Sequence, residues 1–311
     1  MKLKDVVHLL KDAVTSWVED DGGTMGAALA YYTLFSLAPL LVIVIAIAGL
    51  IFGPEAAQGQ VLRQLEGLIG TEGAAVIQNL LRSASDPERS TGAAIIGSVT
   101  FILGATGVFS ELQGDLNRIW REPLPRKRPG GLVRLLRNKL LTFGMVLGIG
   151  FLMLVSTLVS AALASFGSWI GSLFTAWPVA LEIINSVFSF VIITLCFAMI
   201  YRFLPRARIG WRDVWLGAAF TALLFTVGKL LIGLYLGSAN IGSTYGAAGS
   251  LVALLVWVYY SAQIFLLGAE FTWVFAYQFG SKRHESPPDR VHALPVSHRA
   301  PGRKRRTAAR G

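Results

Sequence analysis

Residues 179–213 read VALEIINSVFSFVIITLCFAMIYRFLPRARIGWRD, a run that changes character once. Its first 23 positions carry a single charge, Glu182, and its last twelve carry Arg202, Arg206, Arg208 and Arg212. A helix rising ~1.5 Å per residue needs ~20 apolar residues to cross a hydrocarbon core ~30 Å thick. The apolar part is long enough for that, and arginines collect on the cytoplasmic side of a membrane. The run therefore predicts a membrane span that leaves the bilayer into a short cytoplasmic turn, with a second span beyond it.

Five further stretches are long and apolar enough to cross: 27–52, 92–114, 140–165, 214–236 and 250–279. The composition points the same way. Charged residues are 15% of 311, against ~25% in a soluble domain, and the mean hydropathy is +0.58. The Lys and Arg positions then set the orientation. Three precede residue 25, eight lie in 115–139, four in 202–213 and nine beyond 280, so 24 of the 28 share one side. The other side holds Arg63, Arg82 and Arg89, and Lys229 lies within a span. The expected fold class is all-α, a polytopic membrane protein with about six transmembrane helices and cytoplasmic N- and C-termini.

Around the membrane domain, 25–280, three accessory pieces are expected. Residues 1–24 repeat Leu3, Val6, Val7, Leu10, Val14, Trp17 and Val18 at helical spacing, the pattern of an amphipathic helix. It would lie on the membrane surface or pack against cytoplasmic loops; without a continuous apolar core and cleavage site it is not a signal peptide. The external loop 53–91 suggests two short amphipathic helices. The basic tail 281–311, with Arg303-Lys304-Arg305-Arg306, has the composition of a disordered segment. Basic segments facing the cytoplasm attract anionic lipid headgroups, so the bilayer itself is the expected partner. Nucleic acid is not expected, and a homo-oligomer is left open.

Ionisable residues inside a membrane are costly and point to function. Counting ~1.5 Å per residue, Lys229 lies in the outer third of its span and Glu182 close to the outer end of another. These two are expected to pair, or each to snorkel to the outer interface. Glu270 falls near the inner face, at the depth of Arg202, Glu111 and Asp115. A polar cluster of Glu111, Asp115, Arg202 and Glu270 is expected there. It would act as an inner gate or a proton-coupled carboxylate, or as an ion-paired collar. Pro39 interrupts the first span and is a candidate hinge. The run GSANIGSTYGAAGS at 237–250 is a loop or re-enters the membrane, with Tyr31, Tyr32, Tyr245 and Gly246 as candidate lining. One cysteine, Cys196, and four histidines near the chain ends exclude disulfide and zinc spacings. No Walker A loop, GxSxG or HExxH is present. The expectation is a non-enzymatic protein without metal or organic cofactor.

AALAYYTLFSLAPL at 27–40, Leu116-Asn117-Arg118-Ile119-Trp120, Tyr201-Arg202-Phe203-Leu204-Pro205, Tyr245-Gly246 and LLVWVYYSAQIFLLGAE at 254–270 follow one another in order. With these blocks the chain resembles the YihY/BrkB family of bacterial inner-membrane proteins across roughly residues 5–280. The resemblance implies a helical fold in the inner membrane and carries loose links to lipid or envelope transport and to virulence. It also carries an older ribonuclease label. The leading expectation is a transporter-like protein for a lipid, a lipid-linked or a small amphiphilic solute. The alternatives are an envelope-organising protein without transport and, on the old label alone, a membrane-bound ribonuclease.

Overall fold

The computed structural model describes residues 3–53, 107–122, 177–238 and 249–286, with isolated helical positions between 55 and 78 and at 152. The described residues are helical, with no strand among them. In chain order they form α1 (Leu3–Glu19), α2 (Gly22–Phe52), α3 (helical over 107–119), α4 (Trp177–Phe203), α5 (Trp211–Ser238) and α6 (Gly249–Gln278).

Three helices are long and apolar enough to cross a membrane: Ile183–Phe203, Trp211–Tyr235 and Leu251–Gln278. They coincide with the last three expected spans, and α2 covers the whole of the first. Most of 92–114, 140–165, the external loop 53–91 and the tail beyond 286 lie outside the described residues, as do Tyr245 and Gly246. Pro39 does not break α2, which runs through it from Gly22 to Phe52. A proline forgoes one hydrogen bond, and the turns on either side keep theirs.

α6 is the common partner, packing against α1, α2 and α5, while α4 packs on α5. Outward, α4 exposes Ile183, Val187 and Val191, α5 exposes Leu223, Leu230 and Leu234, and α6 exposes Leu251 and Leu255. In water these surfaces would be far too apolar; in lipid they are the solvent-facing side. Threonines on and behind these faces are satisfied locally. The hydroxyls of Thr194, Thr221, Thr226 and Thr272 each donate to the carbonyl four residues earlier, which satisfies them without leaving the helix.

Inside, small residues let the helices approach. A Cβ added at Gly268 of α6 would run into Thr221 of α5, and one at Gly217 of α5 would run into Thr272 of α6. Close contact of this kind drives helix association where lipid removes the hydrophobic gain. The Tyr201 hydroxyl, fully buried, donates at 2.7 Å to the Phe265 carbonyl, and its oxygen lies 2.9 Å from the Thr221 hydroxyl, whose proton it shares with the Gly217 carbonyl. It therefore joins α4, α5 and α6 at one point.

The α1 helix lies on α6 through Leu9, Ala13 and Ser16, all buried. The Asp12 carboxylate accepts a 2.7 Å hydrogen bond from Gln278 at the end of α6, while Asp20, eight residues on, approaches Glu270. The two helices thus run antiparallel. Of the two readings open for the N-terminal helix, contact with protein accounts for this face, and Val7, Leu10, Val14 and Val18 stay exposed on another.

Between α4 and α5, Pro205 forces the chain out of the helix after Phe203. Leu204, Pro205, Ala207 and Ile209 turn inward while Arg206 and Arg208 stay exposed. Side chains of α3 close the backbone: Gln113 donates to the Leu204 carbonyl and Asn117 accepts from the Arg206 N–H, both at 2.9 Å.

Gly268→Leu should cost about 1–3 kcal/mol by overpacking, read as a lower thermal midpoint in detergent. Gly233→Leu, where an added Cβ meets nothing within 4 Å, should leave the midpoint unchanged.

Candidate functional site

The site forms where the α1–α2 corner and the end of α3 meet α6. Each piece arrives there through an unusual backbone residue. Asp21 joins α1 to α2 in the left-handed region, at φ 57° and ψ 42°, a conformation that Asp tolerates better than most residues. Arg121 ends α3 at φ 52°. Its N–H bonds the Arg118 carbonyl and that of Glu122 bonds the Asn117 carbonyl, both at 2.9 Å. This is a Schellman closure with arginine where glycine is usual, at a strain of about 1–2 kcal/mol. These are the non-glycine residues of positive φ among the described ones.

The two corners bring charge onto α6. Glu270 is fully buried, and the polar group it meets is a second carboxyl, which can bond it only when one of the two holds a proton. Asp20, also buried, is that carboxyl. Arg121 and Arg118 are close enough to act on Glu270 electrostatically. The Arg121 guanidinium stands 3.8 Å over the ring of Trp273, one turn beyond Glu270. Arg118 also forms a 2.9 Å salt bridge with Asp21 that fastens α3 to the α1–α2 corner.

One turn back on α3, Asp115 is buried and Glu111 half-buried. Burial, then the neighbouring charge of Glu111, push the Asp115 carboxyl up to about 7, against the opposing pull of Arg118. The described carboxylates do not converge as metal ligands. They form two acidic pairs, Glu270 with Asp20 and Asp115 with Glu111, both within electrostatic reach of Arg118 and able to take up protons.

The expected cluster divides. Glu111 and Asp115 stay together on α3, Glu270 meets Asp20, Arg121 and Arg118 instead, and Arg202 turns elsewhere. Its guanidinium donates to the Ile209 carbonyl and lies 5.4 Å over the Trp211 ring. Equal depth does not put two side chains on facing surfaces, and the α4–α5 turn offers Arg202 a nearer acceptor. Lys229 is exposed on α5 and forms no ion pair among the described residues. Glu182 begins α4, with its side chain outside the described ones. Tyr31 and Tyr32 are exposed on α2, where Tyr31 packs on Phe35 and Tyr32 covers Gly107 of α3. Asp20, Arg118 and Arg121 were not expected as site residues. The signal available for them was Asp20-Asp21 before Gly22-Gly23, and two arginines inside the block around Trp120.

The family model for virulence factor BrkB matches residues 13–293. The chain belongs to the BrkB family. Curated relatives are named UPF0761 membrane protein. That of Verminephrobacter eiseniae is 29% identical over 81% of this chain and 58% of its own length. Alcanivorax borkumensis gives 28% over 90% and 62%, and Psychrobacter sp. 25% over 86% and 48%. The chain thus spans about half to three-fifths of the BrkB-family relatives it matches. No solved structure matches it.

A carboxyl raised in the folded state stabilises that state below its ordinary range, and the gain is lost as pH climbs through the raised value. Asp115 rises from 3.8 to about 7, so its contribution should decay between those values. Thermal melts across this range should show Asp115→Asn gaining on the wild type as pH rises from 3.8 to about 7, with the difference levelling off above that.

Proposed function

We propose that the chain is a transporter-like protein of the bacterial inner membrane that moves a lipid, a lipid-linked or a small amphiphilic solute. The carrying observation is Glu270. A purely structural helix contact gains little from a carboxyl buried against a second carboxyl, because such a pair costs more than apolar groups of the same shape. Carboxyls retained at this cost inside membrane helices mark ion and substrate paths. Asp20 and Arg121 support the reading, since each reaches Glu270 from a strained corner, and strain of this kind gathers at working sites. The chemistry is displacement and proton exchange, with no covalent step, organic cofactor or metal.

Reconstituted protein should translocate a fluorescent phospholipid analogue across liposomes, read by chemical quenching of the outer leaflet. Glu270→Gln should slow this by about tenfold or more, the scale of one lost charged interaction, while Lys229→Met leaves the rate unchanged. If no envelope lipid or amphiphile shows protein-dependent flux, the reading fails and the envelope-organising alternative stands. Equal flux in wild type and Glu270→Gln would move the site away from α6.

A further inference from the structure

The α4–α5 turn carries more than the charge that topology requires. On α5, Leu216, Leu223, Val227, Leu230 and Leu234 form one stripe and are 43–73% exposed. At 3.6 residues per turn Arg212 begins this stripe, one turn before Leu216, and it is exposed. Trp211 and Trp215 flank it at 46% and 42% exposure. Phe203, 60% exposed at the end of α4, meets the Trp211 ring edge-on at 6.0 Å. Aromatic side chains exposed at the end of a span sit at headgroup level. Lys229, also exposed, lies about 26 Å further along the axis, so the two cations bracket a length close to the hydrocarbon thickness.

Three guanidiniums are left over at this level. Arg202 is engaged with the Ile209 carbonyl and Trp211. Arg206, Arg208 and Arg212 are exposed and form no ion pair among the described residues. The carboxylate nearest in sequence, Asp213, is buried and accepts instead from the Ser281 N–H and, at 2.5 Å, from its hydroxyl. Gln113 and Asn117 hold the turn in place from α3. A fixed turn with uncompensated arginines, set below an apolar stripe and beside two tryptophans, matches a molecule with an anionic head and acyl tails.

We propose that this turn binds an anionic phospholipid of the inner leaflet. Arg212 receives the phosphate, Arg206 and Arg208 add positive charge at the same level, and the acyl chains run along Leu216 and Leu223 beside Trp215. The site is separate from Glu270 and independent of transport.

The full chain is reconstituted in phosphatidylcholine vesicles doped with acyl-brominated phosphatidylglycerol or, for comparison, acyl-brominated phosphatidylcholine. Tryptophan quenching should be stronger with the anionic lipid, and the excess should vanish in the W211F/W215F variant. Arg212→Gln should weaken the apparent affinity about fivefold, equivalent to the ~1 kcal/mol of one surface arginine. Arg212→Lys should keep most of it, and added salt should erode it. Equal quenching by both lipids in the wild type would overturn the proposal. So would an anionic preference unchanged in R206Q/R208Q/R212Q, which would place the attracting charge elsewhere. Should an arginine variant fold poorly by circular dichroism, the wild type against W211F/W215F still decides.

Discussion

No water reaches the hydrocarbon layer, so a polar group placed there must find its partner within the chain. Most of this structure can be read as compliance with that constraint. The threonines of α4, α5 and α6 bond back into their own helices. Tyr201 spends its hydroxyl on Thr221 and on the Phe265 carbonyl, which makes one polar group the junction of three helices. The α4–α5 turn has its exposed backbone groups met from α3. Against this background Glu270 stands out: it is as buried as Tyr201, and the group it faces is a second carboxyl, Asp20.

The spans were legible because they depend on quantities that a sequence carries directly. Length and apolar content give each helix its extent, and 179–201, 214–236 and 250–279 match α4, α5 and α6 closely. Position along a helix follows from counting residues. What the sequence does not carry is azimuth. Arg202 and Glu270 share a depth, yet Arg202 turns to Ile209 and Trp211 while Glu270 turns to Asp20. Asp20 was hidden for a second reason. It sits at the end of an amphipathic helix whose contact face could not be chosen between lipid and protein, and only the antiparallel packing of α1 on α6 brings it to Glu270.

Backbone strain was equally invisible. Asp21 and Arg121 take left-handed conformations because of how α1 meets α2 and how α3 ends. Neither position announces itself by a glycine. At Arg121 the choice of side chain is informative: glycine would end α3 at lower cost, but it would place no guanidinium over Trp273 beside Glu270. The strain is thus tied to the charge it delivers.

The arginines that a topology census assigns to one side divide by use once the contacts are known. Arg118 and Arg121 serve Glu270 on α6, and Arg118 fastens α3 to the α1–α2 corner as well. Arg202 closes the α4–α5 turn from within. Arg206, Arg208 and Arg212 face outward from that turn. The turn lies against α3 through Gln113 and Asn117, and α3 reaches Glu270 through Arg118 and Arg121. One helix, α3, thus holds the backbone of the α4–α5 turn and also brings two arginines to α6. Its described residues share these tasks by side chain: Gln113 and Asn117 address the turn, Arg118 and the residue that ends the helix, Arg121, address Glu270.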